Sequence, residues 1–230
     1  MIIAILSTYL SSHFNIVFNV DLTLLSIAIV FPLVFAIRGS FRRREKALGH
    51  LSKFRSALQT VHYFIMSNAE LTEDSKNEMI GILEKISEET LDHLSQKETA
   101  TTQLDEIIDM VQRFMNTREE VISKSLKDRT FRFMQDLHES IENLHAINIH
   151  RTPIVLKAYC KFFIYIFPLV YAPAVIFNLG PHVSIIIAYG VVILTQFILI
   201  SLYNIQDQLE NPFDDDGPDD IKLDTFKINR

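Results

Sequence analysis

The sequence has little cysteine, no surplus of cations, and no glycine or proline through most of its middle. Its one cysteine, Cys160, excludes an intramolecular disulfide framework and a Cys-based zinc site. Lys and Arg number 22 against 28 Asp and Glu, for a formal net charge of -6. No cation excess is left to offset phosphates, so a nucleic-acid partner is not expected. The apolar parts contain no Gly-rich phosphate loop, nucleophile elbow or paired carboxylates, so no enzyme is expected. Between Gly81 and Pro153 there is no glycine or proline, and no strand-like alternation is found.

What is present is segregation. Hydrophobic residues make up 48% and charged residues 22% of the chain, with a mean hydropathy of +0.18. A positive mean beside ordinary charge content requires that the two be separated along the chain, and it excludes a disordered or low-complexity protein. Residues 1–37 carry a single charge, Asp21, and residues 162–206 carry none. Residues 38–160 hold 18 Lys/Arg and 19 Asp/Glu, and residues 207–230 hold 8 acids against 3 bases. Two apolar blocks therefore flank a nearly neutral polar block, and an acidic tail follows.

A membrane crossing takes about 20 apolar residues at about 1.5 Å each. Each apolar block is long enough for two. The first divides near Asn19-Val20-Asp21, giving crossings at about 2–18 and 22–38. The second divides at Asn178–His182, giving about 160–177 and 183–203. A cleaved signal peptide is disfavoured, because no basic residues precede the first run and no small-residue cleavage site follows it. Arg38, Arg42, Arg43, Arg44 and Lys46 follow the second crossing, and Arg151, Lys157 and Lys161 precede the third. Cations mark the cytoplasmic side, so the middle block and both termini are expected there. The expected organisation is a first helix pair at 1–38, a cytoplasmic helical region at 39–159, a second pair at 160–204 and an acidic tail at 205–230. The location is an integral, multi-pass protein of the plasma or inner membrane.

The middle block reads as helix throughout. Met79, Leu83, Ile86, Thr90/Leu91 and Leu94 recur at helical spacing, as do Leu104, Ile107/Ile108, Val111 and Phe114/Met115. Phe133/Met134, Leu137, Ile141 and Leu144 form a third stripe. Thr72 before Glu73-Asp74 predicts an N-cap with acids in the first turn. The second crossing is expected to run on without a break into a cytoplasmic helix at about 40–67. His138, Glu142 and His145 share a helical face at i, i+4, i+7, which suits either a metal or a solvated surface.

Two stretches stand out. In the second crossing Ile27, Phe31 and Phe35 fall at i, i+4, i+8, one apolar stripe with bulky tips, interrupted by Pro32. Periodicity alone leaves open a lipid-facing or packing surface. Pro32 lacks an N–H, which is tolerable where a neighbour covers the freed carbonyl. In the tail, five aspartates lie within 214–220 in a Gly/Pro-containing loop, an oxygen-rich stretch without the EF-hand pattern.

Three segments together resemble the bestrophin family of pentameric ion channels, over about residues 5–226. The run LLSIAIVFPLVFAIRGSFRRREKA looks like the family's pore-lining second helix. HRTPIVLKAYCKF is similar to its segment ahead of the third crossing, and QLENPFDDDGPDDIKLD to its acidic signature after the fourth. The resemblance implies an all-α membrane protein with four transmembrane helices per subunit and a helical cytoplasmic region. It implies a homopentamer in a lipid bilayer, passing chloride or other small monovalent ions through a central pore, with cations as the alternative. Ile27, Phe31 and Phe35 match the neck, three apolar rings that gate by dewetting. Ile154 matches the cytoplasmic aperture. Asp216 and Asp219 match the carboxylates of a calcium clasp, and Gln208 and Asn211 match its backbone carbonyls.

The chain departs from the family at several positions. Val155 replaces the proline after the aperture residue, Tyr159 lies one residue beyond the family's tyrosine, and Asp214 replaces a glycine. The N-terminal stretch that completes the clasp in relatives has no counterpart here. Calcium is therefore expected to bind weakly or not at all, and the loop to be mainly structural, with Phe213 packed inward. The competing reading is a four-helix membrane scaffold whose cytoplasmic helices bind partners.

Overall fold

The structure is a computed structural model that describes residues 1–96, 100–118, 120–215, 217 and 219–229. Among these residues it contains seven α-helices, one short 3₁₀ turn and no strand. The helices are α1 (Ile2–His13), α2 (Thr23–Met66), α3 (Glu73–Gln96), α4 (Thr102–Thr117), α5 (Lys124–Ile149), α6 (Ile154–Leu179) and α7 (Ile185–Gln208), and the 3₁₀ turn is Leu223–Phe226. Two compact units result. The first comprises Met1–Arg42 and Thr152–Glu210, and the second Arg43–Arg151 and Asn211–Arg230.

In the first unit α1 packs on α6 and α7, and α6 packs on α7. Three helices, α2, α6 and α7, contain windows long and apolar enough to cross a membrane. The expected first crossing at 2–18 is helical only as far as His13. Its 12 residues rise about 18 Å, short of a hydrocarbon core of about 30 Å. Asn15 takes the left-handed conformation (φ 54°), and the Ile16 N–H bonds the Ser11 carbonyl at 2.9 Å. This is a Schellman stop, for which asparagine is one of the few suitable side chains. The buried face of α1 is small and polar, with Ala4, Ser7, Thr8 and Ser11, and the Ser7 hydroxyl donates to the Pro168 carbonyl at 2.6 Å.

Proline inside α6 creates a further demand. Pro168 has no N–H for the carbonyl of Ile164, four residues earlier. The Gln196 side chain of α7, itself buried, donates to that carbonyl at 3.1 Å. Helix α6 ends at Gly180, whose φ of 72° favours glycine, and α7 opens on Ser184, whose hydroxyl accepts the Ile186 N–H. The break, residues 180–184, overlaps the expected 178–182 segment and runs two residues beyond it. Ile29, Leu33, Cys160, Ile164, Phe167 and Leu199 form one apolar core, and Ala4, Ala172, Val175, Ala188 and Val192 another.

The second unit has a single large core. All three expected stripes contribute: Met79, Leu83, Ile86 and Leu94 from α3, Leu104, Ile107 and Val111 from α4, and Met134, Leu137, Ile141 and Leu144 from α5. Leu51, Phe54, Leu58, Val61 and Ile65 of α2 complete it. Full burial of each such side chain contributes about 1.5–3 kcal/mol. The Thr72 hydroxyl accepts the Ser75 N–H at 3.3 Å, as the N-cap expectation required. The unbroken continuation of α2 to Met66 also matches the sequence reading.

The tail joins this core through Phe213, Ile221 and Ile228. Gln59 donates to the Ile228 carbonyl at 2.7 Å, Arg55 to the Lys227 carbonyl at 3.2 Å, and the Ile228 N–H donates to Ser87 at 3.2 Å. A mostly polar segment is held here by three anchors of core quality and by its own backbone groups.

Candidate functional site

Helix α2 presents two opposite faces between residues 27 and 40. At about 100° per residue, Ile29, Leu33, Ala36 and Ser40 lie on one side. All four are buried, and the Ser40 hydroxyl reaches the Gln206 carbonyl at 3.5 Å. Ile27, Phe31 and Phe35 lie on the other side and are exposed, Phe35 to 61%. The Phe31 and Phe35 rings are 6.2 Å apart, so the stripe is a continuous apolar surface. The expected neck residues thus share one face and remain about half exposed within their own chain.

Pro32 sits between these two faces. It has no N–H to offer the Ala28 carbonyl. The Tyr159 hydroxyl of α6 donates to that carbonyl at 3.2 Å. Proline is costly in a helix because it strands an acceptor, and here a neighbouring helix supplies the donor. The Tyr159 ring also lies 4.5 Å from that of Phe163.

The start of α6 is fixed by charge. Glu210 is 3% exposed and follows α7. Its carboxylate accepts the Thr152 N–H at 3.0 Å and the Gln206 amide at 3.4 Å, and pairs with the Lys157 ammonium at 2.5 Å. Asp207 pairs with Lys157 as well, at 2.7 Å. Burial by itself would push the Lys157 ammonium down. Its hydrogen bonds to Asp207 and Glu210 outweigh this and hold it above the ordinary lysine value of 10.5. Buried carboxylates survive only when paired and hydrogen-bonded, and Glu210 meets both conditions. Two residues beyond Thr152, Ile154 opens α6 after Pro153 and is 83% exposed, with Val155 beside it at 80%. The expected aperture residue is therefore an apolar tip on a clamped helix start.

The acidic loop gives a different result. Asp216 lies outside the described residues. The Asp219 carbonyl accepts the Arg44 Nε at 2.8 Å, and the Asp220 carboxylate accepts the Gly217 N–H at 2.7 Å. Gln208 is the last residue of α7, and Asn211 begins the segment assigned to the second unit. Phe213 is buried, as expected.

His145 does not join His138 and Glu142. Its Nδ1 lies 2.8 Å from the Nε2 of His93 on α3. Asp105 of α4 comes to His138 and Glu142 instead. Sequence reasoning gave no role to Tyr159, named only as a departure from the family, nor to Gln196, Glu210 and Asp105. A signal existed for the first two: each proline in an apolar helix calls for a donor near the residue four positions earlier.

Long apolar helices, an exposed apolar stripe on α2 and a helical second unit define the chain as an all-helical protein of membrane-protein type. Solved structures then identify the fold. A bacterial bestrophin homologue from Klebsiella pneumoniae, a point variant, superposes with a TM-score of 0.80 at 14% identity, covering 98% of this chain and 91% of its own. Another structure of a bacterial bestrophin homologue from Klebsiella pneumoniae gives a TM-score of 0.77 at 17% identity, with 98% and 89% covered. A structure described as a membrane protein variant gives 0.80 at 15% identity, with 98% and 90% covered. The chain is bestrophin-like in fold. No protein-family model matches it, and no curated protein is significantly similar to it in sequence.

Proposed function

We propose that the chain is one subunit of a bestrophin-like ion channel, an integral membrane protein conducting small monovalent ions. The observation that carries this reading is the two-faced α2. Ile29, Leu33 and Ala36 pack inside the chain, whereas Ile27, Phe31 and Phe35 stay exposed along one line. In a symmetric ring that line meets copies of itself around an axis, and three apolar rings disfavour hydrated ions until the neck widens. The family resemblance makes the ring five-fold and gives Ile154 the role of a second constriction, at the cytoplasmic end. Helices α2, α6 and α7 cross the bilayer, with α1 packed on α6 and α7 without crossing. The middle block and the C-terminus then lie on the cytoplasmic side, and the N-terminus, expected there from four crossings, lies on the other.

The tail loop acts in this reading as a structural strap, with weak or no affinity for calcium. An apolar neck does not choose the sign of the ion, so selectivity rests on charges and dipoles elsewhere in the pathway. The test is mass measurement in mild detergent followed by conductance recording in reconstituted bilayers. Pentamers that conduct support the reading. Monomers, or pentamers that pass no current, overturn it and leave the scaffold reading.

A further inference from the structure

We propose that Asp105, His138 and Glu142 form a surface site for a zinc-class divalent ion that clips α4 to α5. The three side chains come from two helices of the second unit. One ligand atom from each lies within 4.8 Å of the other two. The His138 Nε2 and Glu142 Oε1 are 3.8 Å apart, a separation set by their i, i+4 spacing. Ligands about 2.0–2.1 Å from a tetrahedral zinc are about 3.3 Å from each other, so small side-chain rotations bring this set to bonding distance.

One detail favours a bound ion over a solvated surface pair. The Thr101 hydroxyl donates to Asp105 Oδ2 at 3.3 Å, which orients the carboxylate and leaves its other oxygen open. All three side chains are exposed, so a fourth position is open to water. The donor set is one imidazole and two carboxylates. Imidazole suits zinc, cobalt, nickel and copper, whereas calcium and magnesium take oxygen ligands, so the His138 nitrogen selects against them. The neighbouring His145 is committed to His93 and stays outside the set.

The experiment is zinc titration of the full chain in detergent by calorimetry, with calcium and magnesium as comparisons and thermal unfolding as a second readout. The expected result is one zinc per chain, with affinity reduced roughly tenfold or more in Asp105→Asn and in His138→Ala. Zinc should also raise the unfolding temperature of the parent but not of either variant, by mass action on the folded state. If His138→Ala does not fold, His138→Gln takes its place. No saturable zinc binding, binding unchanged in Asp105→Asn, or equal binding of calcium would each overturn the proposal.

Discussion

The Tyr159 hydroxyl donates to the Ala28 carbonyl across 3.2 Å, filling the acceptor that Pro32 leaves open four residues further along α2. The bond ties α6 to the helix that carries Ile27, Phe31 and Phe35, at the level of that stripe. It lets the stripe contain a proline without an unsatisfied carbonyl in an apolar setting.

A double-mutant cycle tests this relationship. Tyr159→Phe should cost about 1 kcal/mol in the parent background, the net value of one hydrogen bond. In a Pro32→Ala background the restored N–H serves Ala28 and the same substitution should be nearly neutral. Thermal unfolding in detergent measures both. Equal costs in the two backgrounds would separate Tyr159 from Pro32.

Shortening the stripe tests the neck. Replacing Ile27, Phe31 and Phe35 with alanine should widen and wet the constriction and raise single-channel conductance. Their exposure within the chain means that the change leaves the subunit core intact. An assembled triple variant that conducts no better than the parent would remove these side chains from gating.

Glu210→Ala removes the carboxylate that holds both Thr152 and Lys157. Lys157 keeps Asp207 as a partner, but the buried Thr152 N–H loses its acceptor, which costs about 1–3 kcal/mol. The expected readouts are a lower unfolding temperature and faster proteolysis near Thr152–Ile154. A variant as stable as the parent would show that the start of α6 is held by other means.

The same clamp sets an alkaline limit. Lys157 is held above the ordinary value of 10.5, so its pairing contributes stability that is complete below that value. The contribution is lost as pH rises through the raised value, when the ammonium in the folded chain deprotonates. Between pH 6 and about 10 a Lys157→Met variant should therefore differ from the parent by a constant amount, and the difference should shrink above that range. A difference already falling at pH 8 would contradict this account.

Phe213→Ala tests the strap. The ring is buried in the core of the second unit, and truncating such a residue costs about 3–5 kcal/mol. In the strap reading calcium does not rescue the variant, because the tail is held by Phe213, Ile221 and Ile228 in the apolar core. Full recovery of unfolding temperature with calcium would restore the clasp reading.

The sequence by itself determined the helical class, the separation of apolar and polar parts, the three core stripes of α3, α4 and α5, and the Ile27/Phe31/Phe35 stripe of α2. These features follow from periodicity and composition, which act over one or two helical turns. The N-cap at Thr72 and the inward Phe213 belong to the same local reading. The tertiary structure alone decided which donors serve the carbonyls freed by Pro32 and Pro168, why Glu210 can be buried, and that Asp105 rather than His145 stands beside His138. It also ended α1 at His13, where the left-handed Asn15 stops a run that hydropathy alone extends to residue 18. Partners 32, 131 and 58 residues apart in the chain meet only through packing, and a one-dimensional pattern carries no register between helices.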